Sequence, residues 1–546
     1  MPCVSADYPQ QQTSSLNAAC PEAAWLRWRG PLEVLVGLLA LVPIVLFLVV
    51  SLGRLRYPFL LEQLEGSMLL AAVRVAHGLP IYIRPNFTFI PYMYAPAYYY
   101  ITGWAVRLLA SSRISGFAAL RLVSLLSTCA SFLVIYIFVL SDTLGTTRRR
   151  HLAALASAGL YAATYPWTRE WFDLARVDSL YIFLLLLALL CTRRLHPVFA
   201  ALAWTLVFLA KQTILPIALV MLCCDWKRPR RLLLGAGSFL LMIAVTTRSL
   251  DHATHGWFWF YAFTVPHANT DLLLRPAIFF LPSQLFAPFG IALLMIAMSW
   301  RRTRPSMHSS STRFYLLAAA STFALCWFLQ AHGGATANTP MPLYAVVAII
   351  FGIAFGRLDA SLARQSCREP ARILLLAAVG LQLISWVYHP GMLIPDRGLI
   401  AAHENFVSWL RTFPGDVLVT ANPYEAVLAG KPSHPDIAAL HDALRVNDPQ
   451  IRQPLLNEIR SEVDQEKLDA IVLDGTPAQA LPNQTWLPSD LQSHYPVVGL
   501  VPGSEFGDPF APHPVYFLLP CREQAWAVAR GWTLLRPDGQ LPCPRY

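Results

Sequence analysis

Long apolar runs separated by short polar connectors fill most of the chain, and the pattern stops near residue 388. A membrane-spanning helix needs roughly 20 mostly apolar residues, and about eleven segments approach that length. They are 31–52, 117–140, 151–166, 178–192, 197–211, 213–224, 232–247, 277–299, 314–330, 341–356 and 371–388. The remainder has a different rhythm. Asp416 to Ala421 predicts a buried strand. A short helix over 424–429 follows, with Asn422 as N-cap, Pro423 at its first position and Gly430 closing it. An amphipathic helix over 451–468 leads to a second strand, Ala470 to Gly475. Val497 to Val501 and Val515 to Leu519 complete the set, and strands alternating with helices predict a small α/β layer.

Composition agrees with a membrane protein. Of 546 residues, 55% are hydrophobic and 14% charged, against about 25% charged in soluble domains. The net charge of +10 does not point to nucleic acid, because the arginines sit in connectors and form no continuous basic stripe. No small-residue cleavage site follows the first apolar run, so it reads as a retained span. With Arg27 and Arg29 inside, five further connectors fall on the cytoplasmic side: Arg148 to Arg150, Arg193-Arg194, Lys227 to Arg231, Arg301 to Arg304, and Arg357 to Arg372.

The expected fold class is therefore a polytopic all-α membrane domain with a C-terminal extracytoplasmic α/β domain. The chain divides into a cytoplasmic segment (1–30), a transmembrane domain (31–388) with a long first outer loop (53–116), and the exported domain (389–546). The aromatic piece Tyr92 to Ile101 is expected to lie in the interface, where Tyr is favoured. Ten cysteines show no metal-like spacing apart from the adjacent Cys223-Cys224. Cys521 and Cys543 either pair in an exported tail or remain two free thiols.

The outer connectors hold the unusual charges. Glu62 and Glu65, three apart, share a helical face, either as general-base candidates or as an interfacial acidic pair that ends a span. Asp173, Arg176 and Asp178 form a second group, with Arg176 expected to pair with Asp173 across one turn. Asp178 heads the next span, as a dipole partner or as a ligand for a metal ion or sugar hydroxyls. Lys211 interrupts an apolar run and, with Arg74, Arg84, Arg248 and Arg275, offers phosphate-binding charge; snorkelling to headgroups is its other reading. His252 and His255 have a zinc-like spacing without a Cys or carboxylate frame. Asn86-Phe87-Thr88 and Asn483-Gln484-Thr485 match the glycosylation acceptor pattern, which recurs by chance.

Glu65-Gly66, the helix through Arg74, and Gly78-Leu79-Pro80-Ile81-Tyr82 resemble the first outer loop of the GT-C superfamily of polyprenyl-phosphate-sugar-dependent glycosyltransferases. The likeness is nearest the protein O-mannosyltransferase and aminoarabinose-transferase branch (glycosyltransferase family 39). Asp173 to Leu180, Lys211-Gln212-Thr213 and Gly334 to Asn338 look like further motifs of that family. Leu64 departs from it, standing where an acid is usual.

The resemblance implies an integral membrane glycosyltransferase of the cell membrane, bacterial inner-membrane type, that transfers a sugar with inversion. The sugar passes from a polyprenyl-phosphate-linked donor to a glycan, lipid or protein acceptor. By the same resemblance Glu65 is the catalytic base, with Glu62 as substitute. Asp178 and Asp173 orient the acceptor, the sugar or a divalent cation, magnesium or manganese, with Asp178 the implied metal ligand. Lys211, Arg84 and Arg74 neutralise the lipid phosphate. The alternatives are a transporter or flippase of lipid-linked saccharides, which usually shows internal repeats absent from this sequence, and a non-enzymatic envelope scaffold.

Overall fold

The computed structural model describes residues 22–109, 115–143, 145–224, 226–269, 271–306, 309–364, 368–505, 514–535 and 543. The expected cytoplasmic segment falls outside them as far as residue 21, as does the side chain of Asn483. The membrane part is a bundle built on α1 (Glu22–Leu55), α4 (Gly116–Asp142), α5 (Thr147–Ala163), α6 (Val177–Arg194), α7 (Pro197–Ala210) and α8 (Leu215–Leu222). It continues with α9 (Pro229–Ala253), α10 (Leu274–Thr303), α11 (Ser310–Gln330), α12 (Met341–Ala363) and α13 (Glu369–Ile384). Each apolar segment expected from the sequence lies largely within one of these helices. Six helices among the described residues are long and apolar enough to cross a membrane, and α7 and α8 are shorter apolar ones.

Small residues let the helices approach closely, as is common where lipid supplies no hydrophobic drive between helices. A Cβ added at Gly159 of α5 would collide with the Ala40 backbone of α1. Side-chain hydroxyls close their own accounts inside the bundle: Ser157 donates to the Ala348 carbonyl at 2.6 Å, and Thr128 to that of Phe172 at 2.7 Å.

Ion pairs gather the basic connectors at one end of the bundle. Arg148 pairs with Glu33, Arg149 with Asp359, and Arg193 and Arg194 with Asp142. Arg372 joins Asp359 and Glu369. These pairs join the starts of α1, α5 and α13 to the end of α12, and the ends of α4 and α6 to each other, while Tyr315 of α11 reaches Asp142.

At the opposite end lies the first outer loop. It contains α2 (Glu65–Ala76) and α3 (Ala97–Leu109), packed on each other. α3 leaves Trp104 and Leu108 exposed, an apolar face suited to the interface.

The C-terminal part carries a five-stranded sheet of order β1-β2-β4-β3-β5. The strands are β1 (Asp416–Val419), β2 (Leu468–Leu473), β3 (Val497–Glu505), β4 (Pro514–Leu519) and β5 (Thr533–Leu535). β1 and β2 are parallel and the other pairings antiparallel. β2 is buried throughout, which accounts for its unbroken apolar run. The helices are α14 (Arg397–Thr412), α15 (Tyr424–Leu428), α16 (Ile437–Arg445) and α17 (Pro449–Asp464).

Two local expectations change. The residue capping α15 is Pro423, with no side-chain bond, in place of Asn422; Gly430 does end the turn, at φ +79°. α17 stops at Asp464, because Glu466 takes a left-handed φ of 45° and Leu468 already belongs to β2. Cys521 and Cys543 are joined as a disulfide.

Candidate active site

Four acid–base pairs cluster at the end of the bundle that carries the C-terminal part. They differ in how far they reach water, and that difference sorts them. Arg54 lies 3.5 Å from Asp173, and the Tyr165 hydroxyl donates to the same carboxylate at 2.7 Å; both charged side chains are buried. Arg121 clasps Glu65 at 3.1 and 2.6 Å, and both are fully enclosed. Arg176 holds Glu62 at 2.8 Å, with the Glu62 side chain 20% exposed. Lys211 holds Asp178 at 2.7 Å, and here the lysine is the open partner, 17% exposed.

The local chain explains each placement. Glu65 opens α2 with its side chain turned back, so that Leu61 N–H donates to one oxygen at 2.8 Å and Ala175 N–H to the other at 2.6 Å. With Arg121, all four acceptor directions of the carboxylate are used. Burial pushes its pKa up, but the Arg121 charge and these hydrogen bonds outweigh that and hold it below the ordinary carboxylate value. Arg121 also donates to the carbonyls of Tyr57 and Phe59, both at 2.6 Å, which folds the irregular stretch 57–61 of the loop around it. The expectation that Glu65 is the base therefore meets a carboxylate with no free lone pair and no access.

Glu62 sits one turn earlier and faces outward. Its Oε2 accepts from Leu64 N–H at 3.1 Å and from Arg176. Burial raises its pKa, the Arg176 charge offsets only part of that, and the balance stays above the ordinary carboxylate value. The segment 169–176 is irregular, with left-handed backbone at Arg169 and Glu170. The expected Arg176–Asp173 helical pair consequently does not form: Arg176 points to Glu62 and Asp173 to Arg54.

Asp178 is in the first turn of α6, as expected. Its oxygens accept from the Lys211 ammonium and, at 2.8 Å, from the Trp171 indole N–H. A divalent cation does not suit this donor set, because the carboxylate already neutralises an ammonium. Among the described residues no three His, Cys, Asp or Glu side chains converge as a metal site.

Lys211 occupies the break between α7 and α8, where extended backbone (φ −151°, ψ 108°) turns the side chain toward the cluster. Gln212 anchors that break by donating to the carbonyls of Met93 and Ala262 at 2.6 and 3.0 Å. Tyr94 joins the two open groups: its hydroxyl accepts from Arg176 at 3.0 Å, and the Lys211 ammonium lies 5.9 Å from its ring centroid.

Arg74 and Arg84 have other occupations. Arg74 donates to the Pro80 carbonyl and stacks on Phe89, and Arg84 reaches the Gln450 carbonyl at 2.8 Å. Sequence reasoning missed Arg54 and Arg121, although Arg121 is a charge in the first turns of an apolar span, which normally needs a partner. It also missed Asp436, which faces Tyr92 and lies in the field of Glu62 and Arg176. Burial raises Asp436 to about 7, with the Tyr92 hydroxyl opposing the rise.

The C-terminal part closes on the loop that holds the site. Gln63 donates to the Ala421 carbonyl at 3.1 Å, the Phe59 ring stacks on His403, and Ser433 donates to the Thr88 carbonyl at 2.9 Å. Gly66 is required here: a Cβ on it would collide with Tyr424 of α15.

Solved structures share this architecture. ArnT from Cupriavidus metallidurans bound to undecaprenyl phosphate matches with a TM-score of 0.53 at 14% identity, over 87% of this chain and 97% of that one. Its apo state gives 0.51 at 14% identity, over 91% and 98%. The apo oligosaccharyltransferase of Archaeoglobus fulgidus gives 0.50 at 13% identity, over 87% and 73%. No protein-family model matches the chain, and no curated protein matches it. At such identities the likeness is one of fold alone.

Proposed function

We propose that the protein is an integral membrane glycosyltransferase that moves a sugar, with inversion, from a polyprenyl-phosphate donor to an acceptor hydroxyl or amine. In this reading the reaction takes place on the membrane face that carries the C-terminal part; the arginine distribution supports taking that face as extracytoplasmic, and the membrane is read as a bacterial-type inner membrane. The observation that carries this reading is the pairing of two open, opposite groups, Glu62 and Lys211, through Arg176 and Tyr94. The fold shared with a structure holding undecaprenyl phosphate supports it.

In this reading Glu62 removes the proton from the acceptor as its oxygen or nitrogen bonds to the anomeric carbon. The bond from that carbon to the phosphate oxygen breaks, and the electron pair leaves with the lipid phosphate. A phosphate needs charge neutralisation more than protonation, which Lys211 supplies from a fixed position. Arg176 orients Glu62, and Asp178 orients Lys211. The raised pKa of Glu62 makes it a stronger base than a solvated carboxylate. Glu65, Arg121, Asp173 and Arg54 hold the frame.

The test is transfer by the purified full chain from a panel of polyprenyl-phosphate sugars, followed as release of polyprenyl phosphate. Release that depends on Glu62 and Lys211 supports the proposal. Flipping of the lipid-linked sugar in vesicles with no release from any donor would replace it with a transporter.

A further inference from the structure

The end of the bundle opposite the candidate site carries a groove of about 290 Å³. Its floor is α5, which packs against both α1 and α4, and those two helices form its walls. Val34, Leu152 and Leu155 line its apolar length, and Glu33, Tyr136, Arg148 and His151 its polar end. The walls continue onto apolar surface that faces outward from the bundle: Val34 and Leu38 on α1, Leu133 and Ile137 on α4.

The polar end carries excess positive charge. Arg29 and Arg148 both pair with Glu33, Arg149 and Arg372 share Asp359, and Arg372 and Arg29 also reach Glu369. Four guanidinium groups thus meet three carboxylates. Arg150 adds a further charge, held by the Leu140 carbonyl. The Arg148 side chain is 60% exposed beside its partner Glu33, and the Tyr136 hydroxyl bonds His151 at the rim. A cationic, hydrogen-bonding mouth above an apolar slot that opens sideways matches a ligand with an anionic head and a hydrocarbon tail.

We propose that this groove seats an anionic glycerophospholipid of the leaflet opposite the candidate site, its phosphate against Arg148 and His151 and one acyl chain along Val34, Leu152 and Leu155. The lipid holds α1, α4 and α5 together at the end where the basic connectors meet, and the inference does not depend on the transferase reading.

Native mass spectrometry of the full chain, titrated with phosphatidylglycerol or phosphatidylcholine of identical acyl chains, tests this. The wild type is expected to bind the anionic lipid about fivefold more tightly. R148Q/H151Q should bring the two lipids to parity. V34W fills the slot from its exposed side, disturbs no ion pair, and should weaken phosphatidylglycerol binding while the charges remain. R301Q/R302Q, on another connector, should keep the wild-type preference. Parity in the wild type, an unchanged preference in R148Q/H151Q, full binding by V34W, or an equal loss in R301Q/R302Q would each overturn the site.

Discussion

Glu65 and Arg121 form a closed pair: two hydrogen bonds of 2.6 and 3.1 Å join them, and neither side chain reaches solvent. Glu62, three residues earlier, carries the same functional group and keeps an open edge. One face of the first outer loop thus holds an enclosed carboxylate beside an open one, and only their partners tell them apart.

Opposite outcomes are expected for the two glutamates. Glu65→Gln leaves the Arg121 charge buried without a counter-charge, a defect that costs about 3–5 kcal/mol. It should show as a large drop in apparent Tm of the solubilised protein. Glu62→Gln also removes a counter-charge, that of Arg176, but Asp178 and the Tyr94 hydroxyl still face that guanidinium. Its drop in Tm should therefore be smaller, while transfer falls by about 10²–10⁴-fold, the range of a lost general base. A stable, inactive Glu65→Gln protein beside an active Glu62→Gln protein would return the base to Glu65.

Lys211 is expected to act on the leaving phosphate. Lys211→Met should lower the transfer rate by about 10²–10³-fold, as for loss of one preorganised electrostatic stabiliser. It also strands Asp178, so the double variant Lys211→Met/Asp178→Asn is the better probe. The double variant should regain the Tm lost by the single one while remaining inactive. Recovery of transfer together with Tm would mean that Lys211 serves packing only.

The helices are legible in the sequence because each buries an apolar run against lipid or neighbours, and such runs need no knowledge of partners. Even the charged ends were readable, since Arg148, Arg193 and Arg372 collect at one face through ion pairs. The site was readable only to the level of residue type. Spacing placed Glu62 and Glu65 on one face, but what separates them is Arg121 and Ala175, 56 and 110 residues away in sequence. The Asp173–Arg176 expectation failed because it assumed a helix where Arg169 and Glu170 take left-handed backbone. Asp436 could not be anticipated, because its position depends on how the C-terminal part docks on the first loop.

That docking turns on one glycine. A side chain at Gly66 meets Tyr424 Cβ, which belongs to a short helix with little room to withdraw. Gly66→Ala is therefore expected to destabilise the protein by about 1–3 kcal/mol, the usual range for overpacking. Limited proteolysis should detect it as faster cleavage between the membrane helices and the sheet. Gly66→Ala/Tyr424→Gly, which restores the space, should recover protection.

Glu425 gives the docked part a pH-dependent stability. It is 1% exposed, and among the described residues neither of its oxygens has a hydrogen-bond partner. His403 Nε2 is 4.0 Å away, but burial pushes that imidazole down to about 4, so it is neutral near neutral pH and supplies no charge. Burial first, and then the Asp474 charge, raise the Glu425 pKa well above 4.5. The folded state therefore keeps a proton that the unfolded chain gives up. This group's contribution is complete below pH 4.5, where both states are protonated, and it declines as pH rises toward the folded value. Asp436, raised from 3.8 to about 7, adds a slope of the same sign between those two values. Glu425→Gln keeps the shape and removes the titration. Its Tm should match the wild type at about pH 4.5 and exceed it increasingly toward pH 8. Equal Tm values for the two proteins at pH 8 would show that Glu425 is ionised and paired in the folded state.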